Sequence, residues 1–153
     1  MEKILEIKDL GIRFKTDDGI VNAVNGVTLE LKKGEVLGLV GETGAGKTTT
    51  ALAIMRLIQI PPGEIYQGSI LFEGREILDM SDKEMQQIRG DKISMIFQDP
   101  MTSLNPVRTV GEQIAEVIRL HQKVSAAEAM RKACEMLEMV GIPAERSGEY
   151  PHQ

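Results

Sequence analysis

The fold is decided by the stretch Gly41-Glu42-Thr43-Gly44-Ala45-Gly46-Lys47-Thr48, which matches the pattern G-x-x-x-x-G-K-[ST] of a phosphate-binding loop. The glycines permit a tight turn in which backbone N–H groups converge on phosphate oxygens, and a helix starting near Gly46 adds its positive dipole. Lys47 is placed to reach the β- and γ-phosphates, and the Thr48 hydroxyl is placed to coordinate Mg²⁺. The sequence therefore predicts a site for a nucleoside triphosphate.

The segments on either side of this loop support the prediction. Residues 36–40 form a short apolar run, which is typical of a buried strand in a parallel sheet. Residues 48–59 carry apolar side chains at helical spacing, and Pro61-Pro62-Gly63 is predicted to stop that helix. The order strand, glycine loop, helix is the one that a phosphate-binding loop requires.

Length and composition limit the remaining possibilities. A chain of 153 residues fits one domain or part of a larger one. The net charge of −5 argues against a nucleic-acid partner, which normally needs a basic face. The N-terminus does not resemble a signal peptide, and every apolar run is shorter than the ~18 residues of a membrane span. We therefore expect a soluble, cytoplasmic chain, in which the single cysteine, Cys134, has a structural role.

The chain changes character along its length. Residues 1–33 alternate apolar and polar side chains around an Asp18-Gly19 hairpin signal, which predicts an antiparallel sheet. Residues 34–98 have an α/β pattern, with further strands expected at 69–73 and 93–97. We expect two parts: residues 1–98, with the antiparallel β-subdomain and part of a nucleotide-binding core, and residues 99–153, with the beginning of a helical subdomain.

Three helix starts carry the capping-box pattern, in which a hydroxyl residue precedes a glutamate by three positions. The pairs are Ser81 with Glu84, Thr109 with Glu112, and Ser125 with Glu128. Gly141 and Pro143 are predicted to close the last of these helices.

A second informative stretch lies where the α/β pattern ends: Phe97-Gln98-Asp99-Pro100-Met101-Thr102-Ser103-Leu104-Asn105-Pro106. An apolar strand before Gln98 and Asp99 would place both side chains at the carboxyl edge of a parallel sheet, where ligands of open α/β sheets bind. A glutamine at that edge can ligate Mg²⁺ or orient a water molecule. The prolines that follow predict a loop that could act as a ligand-sensitive hinge.

On these two stretches the chain resembles the ATP-binding subunits of ABC transporters, within the group that imports oligopeptides, dipeptides and nickel. Residues 41–48 resemble the Walker A loop of that family, and Gln98 resembles its Q-loop glutamine. Residues 97–106 are similar to the Q-loop extension of the subgroup. The resemblance runs along the whole chain and implies an α/β fold, with a RecA-like P-loop NTPase core, an N-terminal antiparallel β-subdomain and the start of an α-helical subdomain.

The resemblance also implies the roles of individual residues. Phe14 resembles the aromatic residue that stacks on adenine, although a strand residue facing the core is an alternative. Nucleotide contacts are implied for residues 41–48 and for Thr49, catalytic roles for Lys47 and Gln98, and Mg²⁺ coordination for Thr48 and Gln98. The implied cofactors are ATP and Mg²⁺.

The family places its signature motif, Walker B aspartate, catalytic glutamate and switch histidine after the position of Gln153, so we expect the chain to be truncated and inactive alone. Asp99 is a weak substitute for the Walker B residue, because it precedes a proline and follows the strand by one extra residue. His121 and His152 are separated from metal-ligand partners in the sequence and are expected to have surface or core roles.

For the intact protein, the resemblance implies a peripheral ATPase at the cytoplasmic face of the membrane that drives import of peptides or a related solute. Its implied partners are transmembrane permease subunits, a second ATP-binding subunit and, indirectly, a solute-binding protein, with no nucleic acid. Two alternatives remain open: a non-catalytic nucleotide-binding module, and an ABC-type ATPase that acts on DNA. Lys47 and Gln98 are only 51 positions apart, which leaves no room for the long insertion of the DNA-acting class.

Overall fold

The computed structural model describes residues 2–153 and divides them into two compact units. The first unit ends at Gln86, and the second runs from Gln87 to Gln153. Their boundary falls within a short helix, α2 (Asp82–Ile88). The division at residue 98 that the sequence suggested stays a prediction.

The first unit is built on a four-stranded antiparallel sheet. Its strands are β1 (Lys3–Thr16), β2 (Gly19–Lys32), β3 (Gly63–Phe72) and β4 (Arg75–Glu76), in the spatial order β2-β1-β3-β4. Each neighbouring pair is antiparallel. Thr16 pairs with Gly19, so that two residues make the turn between β1 and β2. The predicted antiparallel sheet, the hairpin between its first two strands and the strand near residues 69–73 are thereby confirmed. The turn itself is made by Asp17 and Asp18 rather than by Asp18 and Gly19, because Gly19 already pairs in β2.

The sheet supplies a large part of the apolar interior of this unit. Ile7, Leu10 and Ile12 of β1 and Ile70 of β3 are fully buried, as are Ile77 and Met85 later in the chain. Because β1 lies between β2 and β3, its backbone is paired along both edges. Of the strands in this sheet, β1 contributes the largest number of fully buried side chains.

A β-bulge interrupts the pairing of β1 with β2. Ile12 pairs with Val24, whereas Arg13, the next residue, pairs with Asn22, so Ala23 is the extra residue on β2. A bulge leaves the extra residue outside the regular ladder and redirects its backbone groups. The backbone of Ala23 therefore departs from the regular course of the ladder at this point.

Helix α1 (Lys47–Ile54) begins where the sequence predicted but ends early. Arg56 adopts a positive φ of 49°, and its N–H donates to the Ala53 carbonyl at 3.0 Å. The N–H of Leu57 donates to the Leu52 carbonyl at 2.9 Å. These two bonds form a Schellman motif, which stops the helix without a glycine. The prediction that the helix continues to residue 59 was therefore wrong, because arginine in a left-handed conformation gives no glycine signal in the sequence.

The expectation of a buried parallel strand at residues 36–40 was also wrong. Within the described part of the chain this segment joins no ladder, and Val36 and Val40 are 96% and 93% exposed. A parallel strand takes its backbone hydrogen bonds from neighbouring strands. Among residues 2–153 the sheet comprises β1 to β4 alone, so the apolar segment 36–40 has no neighbouring strand with which to pair.

The second expected parallel strand, at residues 93–97, is absent from the described residues for the same reason. Ile93 makes an isolated parallel bridge with Arg89, and residues 94–97 belong to no strand. Ile96 is 91% exposed. Composition alone predicted a strand here, but pairing partners are needed to form one.

The second unit contains two helices that pack on each other, α3 (Val110–Gln122) and α4 (Ala126–Met139), together with 3₁₀ turns at Pro100–Ser103 and Ala144–Gly148. Their contact is built on small buried residues, Ala115, Ala129 and Ala133, with partly buried apolar side chains around them. No helix among residues 2–153 is both long and apolar enough to cross a bilayer.

The predicted helix caps are largely confirmed. Thr109 and Glu112 form a complete capping box at the start of α3. Before α2, the Ser81 N–H donates to the Glu84 carboxylate at 2.9 Å, and the Glu84 N–H donates to the Ser81 hydroxyl at 3.3 Å.

The cap of α4 differs in part from the prediction. The Ser125 hydroxyl accepts from the Glu128 N–H at 3.2 Å, but the Glu128 carboxylate pairs with Arg131 at 2.5 Å. At the other end, Gly141 takes a φ of 82° and closes the helix as predicted.

Candidate functional site

The predicted phosphate-binding loop lies between residue 40 and the start of α1. The Ala45 N–H donates to the Glu42 carbonyl at 3.1 Å and closes a turn. Gly44 and Gly46 both have positive φ angles, 83° and 81°, which side chains disfavour. Residues 41–45 are exposed, so their backbone groups are open to solvent. The local conformation requires glycine at the positions where the sequence pattern has it.

Gly46 is also fixed by a close approach to β2. A methyl group built on Gly46 would lie 2.3 Å from the Ala23 carbonyl oxygen and 3.2 Å from Cγ2 of Val24. Ala23 is the bulged residue of β2, and Val24 is 2% exposed. The bulge thus directs a backbone carbonyl against the end of the loop. Neither residue was identified from the sequence, since only the register of two strands reveals the bulge.

Lys47 is the first residue of α1 and folds back over the loop. Its ammonium group donates to the carbonyl oxygens of Gly41 at 2.5 Å and Glu42 at 2.6 Å. Both acceptors lie at the beginning of the loop, so the Lys47 side chain reaches from the end of the loop back to its start. A positive charge is therefore held beside the exposed backbone of the loop.

The first turn of α1 adds further donors. Among the described residues no side chain caps its N-terminus, where Gly46 is the capping position. The first N–H groups of a helix lack intrahelical partners and favour anions. Thr48 is exposed at this end and Thr49 is half-buried, whereas Thr50 is only 4% exposed.

Thr50 is a residue that the sequence reasoning missed. Its hydroxyl donates to the Gly46 carbonyl at 2.8 Å, and its backbone N–H donates to the same oxygen at 2.8 Å. These two bonds fix the end of the loop to the first turn of α1. The run of three threonines after Lys47 was the available signal, but it does not tell which hydroxyl faces inward.

Phe14 lies on the central strand of the same unit, opposite Val21 of β2 and Gly63 of β3. It is half-buried. The loop contacts β2 at residues 23–24, three positions from Val21, which corresponds to about 10 Å along a strand. Such a span is comparable to that between the base and the phosphates of an extended nucleotide. The first unit therefore places Phe14 on β1 and the loop contact on β2, two neighbouring strands of one sheet.

Charged side chains hold the register of β1 and β3 next to Phe14. Arg13 Nε donates to Glu64 Oε2 at 2.9 Å, and Lys15 Nζ lies 3.5 Å from the same oxygen. The hydrogen bond between Arg13 and Glu64 lowers the pKa of the Glu64 carboxyl and raises the pKa of the Arg13 guanidinium. Both groups are therefore charged across the neutral range, and their pairing is independent of pH there.

Gln98 belongs to the second unit, whereas the loop and Phe14 belong to the first. It is exposed and lies in a bend before the 3₁₀ turn Pro100–Ser103. Asp99 is the residue that precedes this turn and does not follow a formed strand, which removes the structural basis for a Walker B role.

The chain after Gln98 is attached to α3 by a side chain that the sequence reasoning missed. The Asn105 N–H donates to Gln113 Oε1 at 2.9 Å, and Gln113 Nε2 donates to the carbonyls of Asn105 at 3.0 Å and Arg108 at 3.1 Å. Arg108 in turn pairs with Glu116 of α3 at 2.5 Å. The loop that follows Gln98 is thereby anchored to the helical unit.

Comparisons with a family model and with curated proteins identify the same family for this chain. A family model described as ABC transporter matches residues 24–153. The oligopeptide transport ATP-binding protein OppD of Bacillus subtilis is 53% identical over 153 residues, which cover 99% of this chain and 43% of the relative. The dipeptide transport ATP-binding protein DppD of the same organism is 47% identical over 155 residues, which cover all of this chain and 46% of the relative. The chain thus spans less than half the length of these relatives.

Solved structures agree with the sequence relatives. An ATP-binding cassette described as dimeric, in a post-hydrolysis state and bound to ADP and Pi, superposes with a TM-score of 0.83 at 26% identity, covering 97% of this chain and 62% of that structure. The cbiO1 protein of Clostridium perfringens, part of an ABC transporter complex, gives a TM-score of 0.69 at 25% identity, with 99% and 55% covered. Because the family model matches most of the chain and carries the phosphate-binding loop, the chain belongs to the ABC transporter family.

Proposed function

We propose that this chain is the nucleotide-binding part of an ABC transporter subunit that couples ATP hydrolysis to the import of peptides. The observation that carries the proposal is the phosphate-binding loop, with the Lys47 ammonium beside its exposed backbone and Gly46 fixed against β2. The peptide substrate is supported by the names of the relatives, which are oligopeptide and dipeptide transport proteins.

The loop would bind the phosphates of ATP through three kinds of donor. The exposed backbone N–H groups of residues 41–46 and the first turn of α1 would hold the phosphate oxygens. Lys47 would exchange its carbonyl acceptors, Gly41 and Glu42, for the β- and γ-phosphates. Thr49 lies in the same helical turn and would contribute its N–H group. Each of these donors is already oriented by the local fold, which limits the entropy lost on binding.

Two side-chain oxygens fit the requirements of Mg²⁺. Thr48 and Gln98 are both exposed and carry neutral oxygen donors. Mg²⁺ bound to nucleotides takes most of its ligands from phosphates and water, so one or two protein oxygens suffice. When bound, the ion would neutralise charge on the β- and γ-phosphates. Thr48 and Gln98 are the residues proposed to hold it.

Phe14 would supply an aromatic face for the adenine. Its place on β1, about three strand positions from the loop contact on β2, suits a nucleotide whose phosphates occupy the loop. Stacking on an aromatic ring tolerates any base, because every base has a π-face. It would support ATP binding without hydrogen bonds that are specific to adenine.

Gln98 would orient the attacking water and report the nucleotide state to the transport partners. Its loop is attached to α3 through Gln113, so a change at Gln98 can be passed to the helical unit. The partners would be transmembrane permease subunits and a second ATP-binding subunit, with a solute-binding protein acting through the permease. The subunit would lie at the cytoplasmic face of the membrane.

Calorimetric titration of the full-length protein with MgATP tests the nucleotide-binding part of this proposal. We expect saturable binding and ATP turnover that increases when permease subunits are present. Absence of nucleotide binding in a folded sample would refute the proposal.

Replacing Gln98 with alanine should separate turnover from binding. We expect ATP hydrolysis to fall on the order of 100-fold, because the attacking water loses its orientation, while MgATP affinity changes little. Steady-state phosphate release and calorimetry on the same samples measure the two effects. Gln122→Ala, at the exposed end of α3, serves as the control and should leave both unchanged. Equal losses of affinity and turnover in Gln98→Ala would contradict the proposed role.

A further inference from the structure

Gly63, the first residue of β3, is a glycine whose small size rather than its backbone conformation is needed. It is buried, and its φ is not among the positive values of the chain. A methyl group built on it would lie 2.7 Å from Ile58 Cγ2, 2.9 Å from the Gln59 carbonyl oxygen and 3.0 Å from Phe14 Cε1. The space that a side chain would occupy is therefore taken by the edge of the Phe14 ring and by Ile58.

The backbone around Phe14 is attached to the residues on either side of Gly63. Lys15, which follows Phe14, donates its N–H to the Pro62 carbonyl at 3.0 Å. Arg13, which precedes Phe14, donates to the Glu64 carboxylate at 2.9 Å. Phe14 itself pairs with Gly63. The backbone of Phe14 is therefore held beside Gly63 by contacts on both of its flanks.

An aromatic ring that covers a glycine on the neighbouring strand is a known device for stabilising sheets. The same strand pair contains a second example, since a methyl group on Gly11 would lie 2.5 Å from Cζ of Tyr66. That ring has the Arg13 guanidinium 5.0 Å from its centroid. Gly11 and Gly63 therefore share a steric role, but only Gly63 lies against the aromatic residue proposed to meet the base.

We infer that Gly63 is a positioning residue for base recognition: its missing side chain sets where the Phe14 ring lies and thereby how far the ring is from a base whose phosphates occupy the loop. This inference rests on the proposed function, because it requires that Phe14 stacks on adenine. A methyl group at Gly63 displaces the ring edge, while the phosphate-binding loop, which contacts β2 rather than β3, keeps its geometry.

The test compares two ligands, MgATP and magnesium tripolyphosphate, which share the phosphates but not the base. With the full-length protein, Gly63→Ala is expected to weaken MgATP binding about tenfold, within the range of aromatic–base stacking, and to leave tripolyphosphate binding unchanged. Gly11→Ala is the matched control, since it introduces a comparable clash in the same strand pair. It should lower thermal stability without changing the ratio of the two affinities.

A double substitution checks that the effect passes through Phe14. In a Phe14→Ala background, Gly63→Ala should cause no further loss of MgATP affinity. If Gly63→Ala does not fold, Ile58→Ala alters the same packing by removing the side chain beyond Cβ, including the Cγ2 atom beside Gly63. It should lower the ratio of MgATP to tripolyphosphate affinity.

The outcomes distinguish this inference from the proposed function. If the unsubstituted protein binds tripolyphosphate as tightly as MgATP, the base-stacking role of Phe14 is wrong. If the unsubstituted protein prefers MgATP and Gly63→Ala keeps that preference, or loses both ligands equally as a purely structural change would, the positioning role of Gly63 is overturned.

Discussion

Nucleotide binding is expected to fall by at least about 100-fold when Lys47 is replaced with alanine. The ammonium group already donates to the Gly41 and Glu42 carbonyls beside the loop, and it would transfer these bonds to phosphate oxygens. Two charge-assisted hydrogen bonds are worth about 3 kcal/mol or more together, which corresponds to about two orders of magnitude in Kd. Calorimetric titration of the full-length protein with MgATP measures the loss.

The stability of the Lys47→Ala variant should change by less than about 1 kcal/mol, because surface polar contacts contribute little to folding. Lys33→Ala, which removes an exposed lysine just before the loop segment, is the charge-matched control and should bind MgATP normally. If both variants lose affinity equally, the effect comes from net charge, and Lys47 has no specific role at the phosphates.

Gly46→Ala is expected to destabilise the protein by about 3 kcal/mol and to prevent nucleotide binding. The residue has a φ of 81°, which costs a side chain about 1–2 kcal/mol. Its methyl group would also lie 2.3 Å from the Ala23 carbonyl, and relief of such overpacking costs about 1–3 kcal/mol more. Denaturant unfolding of the full-length protein, with and without MgATP, measures both effects.

Gly44→Ala separates the two contributions. Gly44 has a similar φ of 83°, but among the described residues nothing lies within 4 Å of the position a methyl group would take. We expect a loss of about 1–2 kcal/mol for this variant, from backbone strain alone. Identical unfolding midpoints for the two variants would show that the contact with β2 does not hold the loop.

The phosphate-binding loop could be predicted from sequence because its determinants are local. Gly44 and Gly46 adopt the positive φ angles that the pattern implies, and Lys47 lies beside the loop backbone. The capping box of Thr109 with Glu112 follows the same logic, since both partners lie within one helical turn. The hairpin between β1 and β2 was recognised from the Asp18-Gly19 signal, although its turn lies one residue earlier, at Asp17 and Asp18.

Features that depend on distant residues were not predicted. Nothing in the sequence around Ala23 indicates a β-bulge. The bulge becomes visible only from the register between β1 and β2. Thr50 cannot be distinguished from Thr48 and Thr49 in the sequence. Only in the folded helix does its hydroxyl lie against the Gly46 carbonyl. The helix end at Arg56 was missed because the sequence does not show which arginine adopts a positive φ angle.

The amino-acid sequence by itself determined the phosphate-binding loop, the hairpin and the helix starts, because each depends on side chains and glycines within a few residues of one another. Only the tertiary structure decided that the Ala23 carbonyl limits Gly46, that Phe14 lies against Gly63, and that residues 36–40 remain unpaired. Strand pairing and close packing join residues far apart in the chain, so the same local composition is compatible with several registers until the partners are brought together.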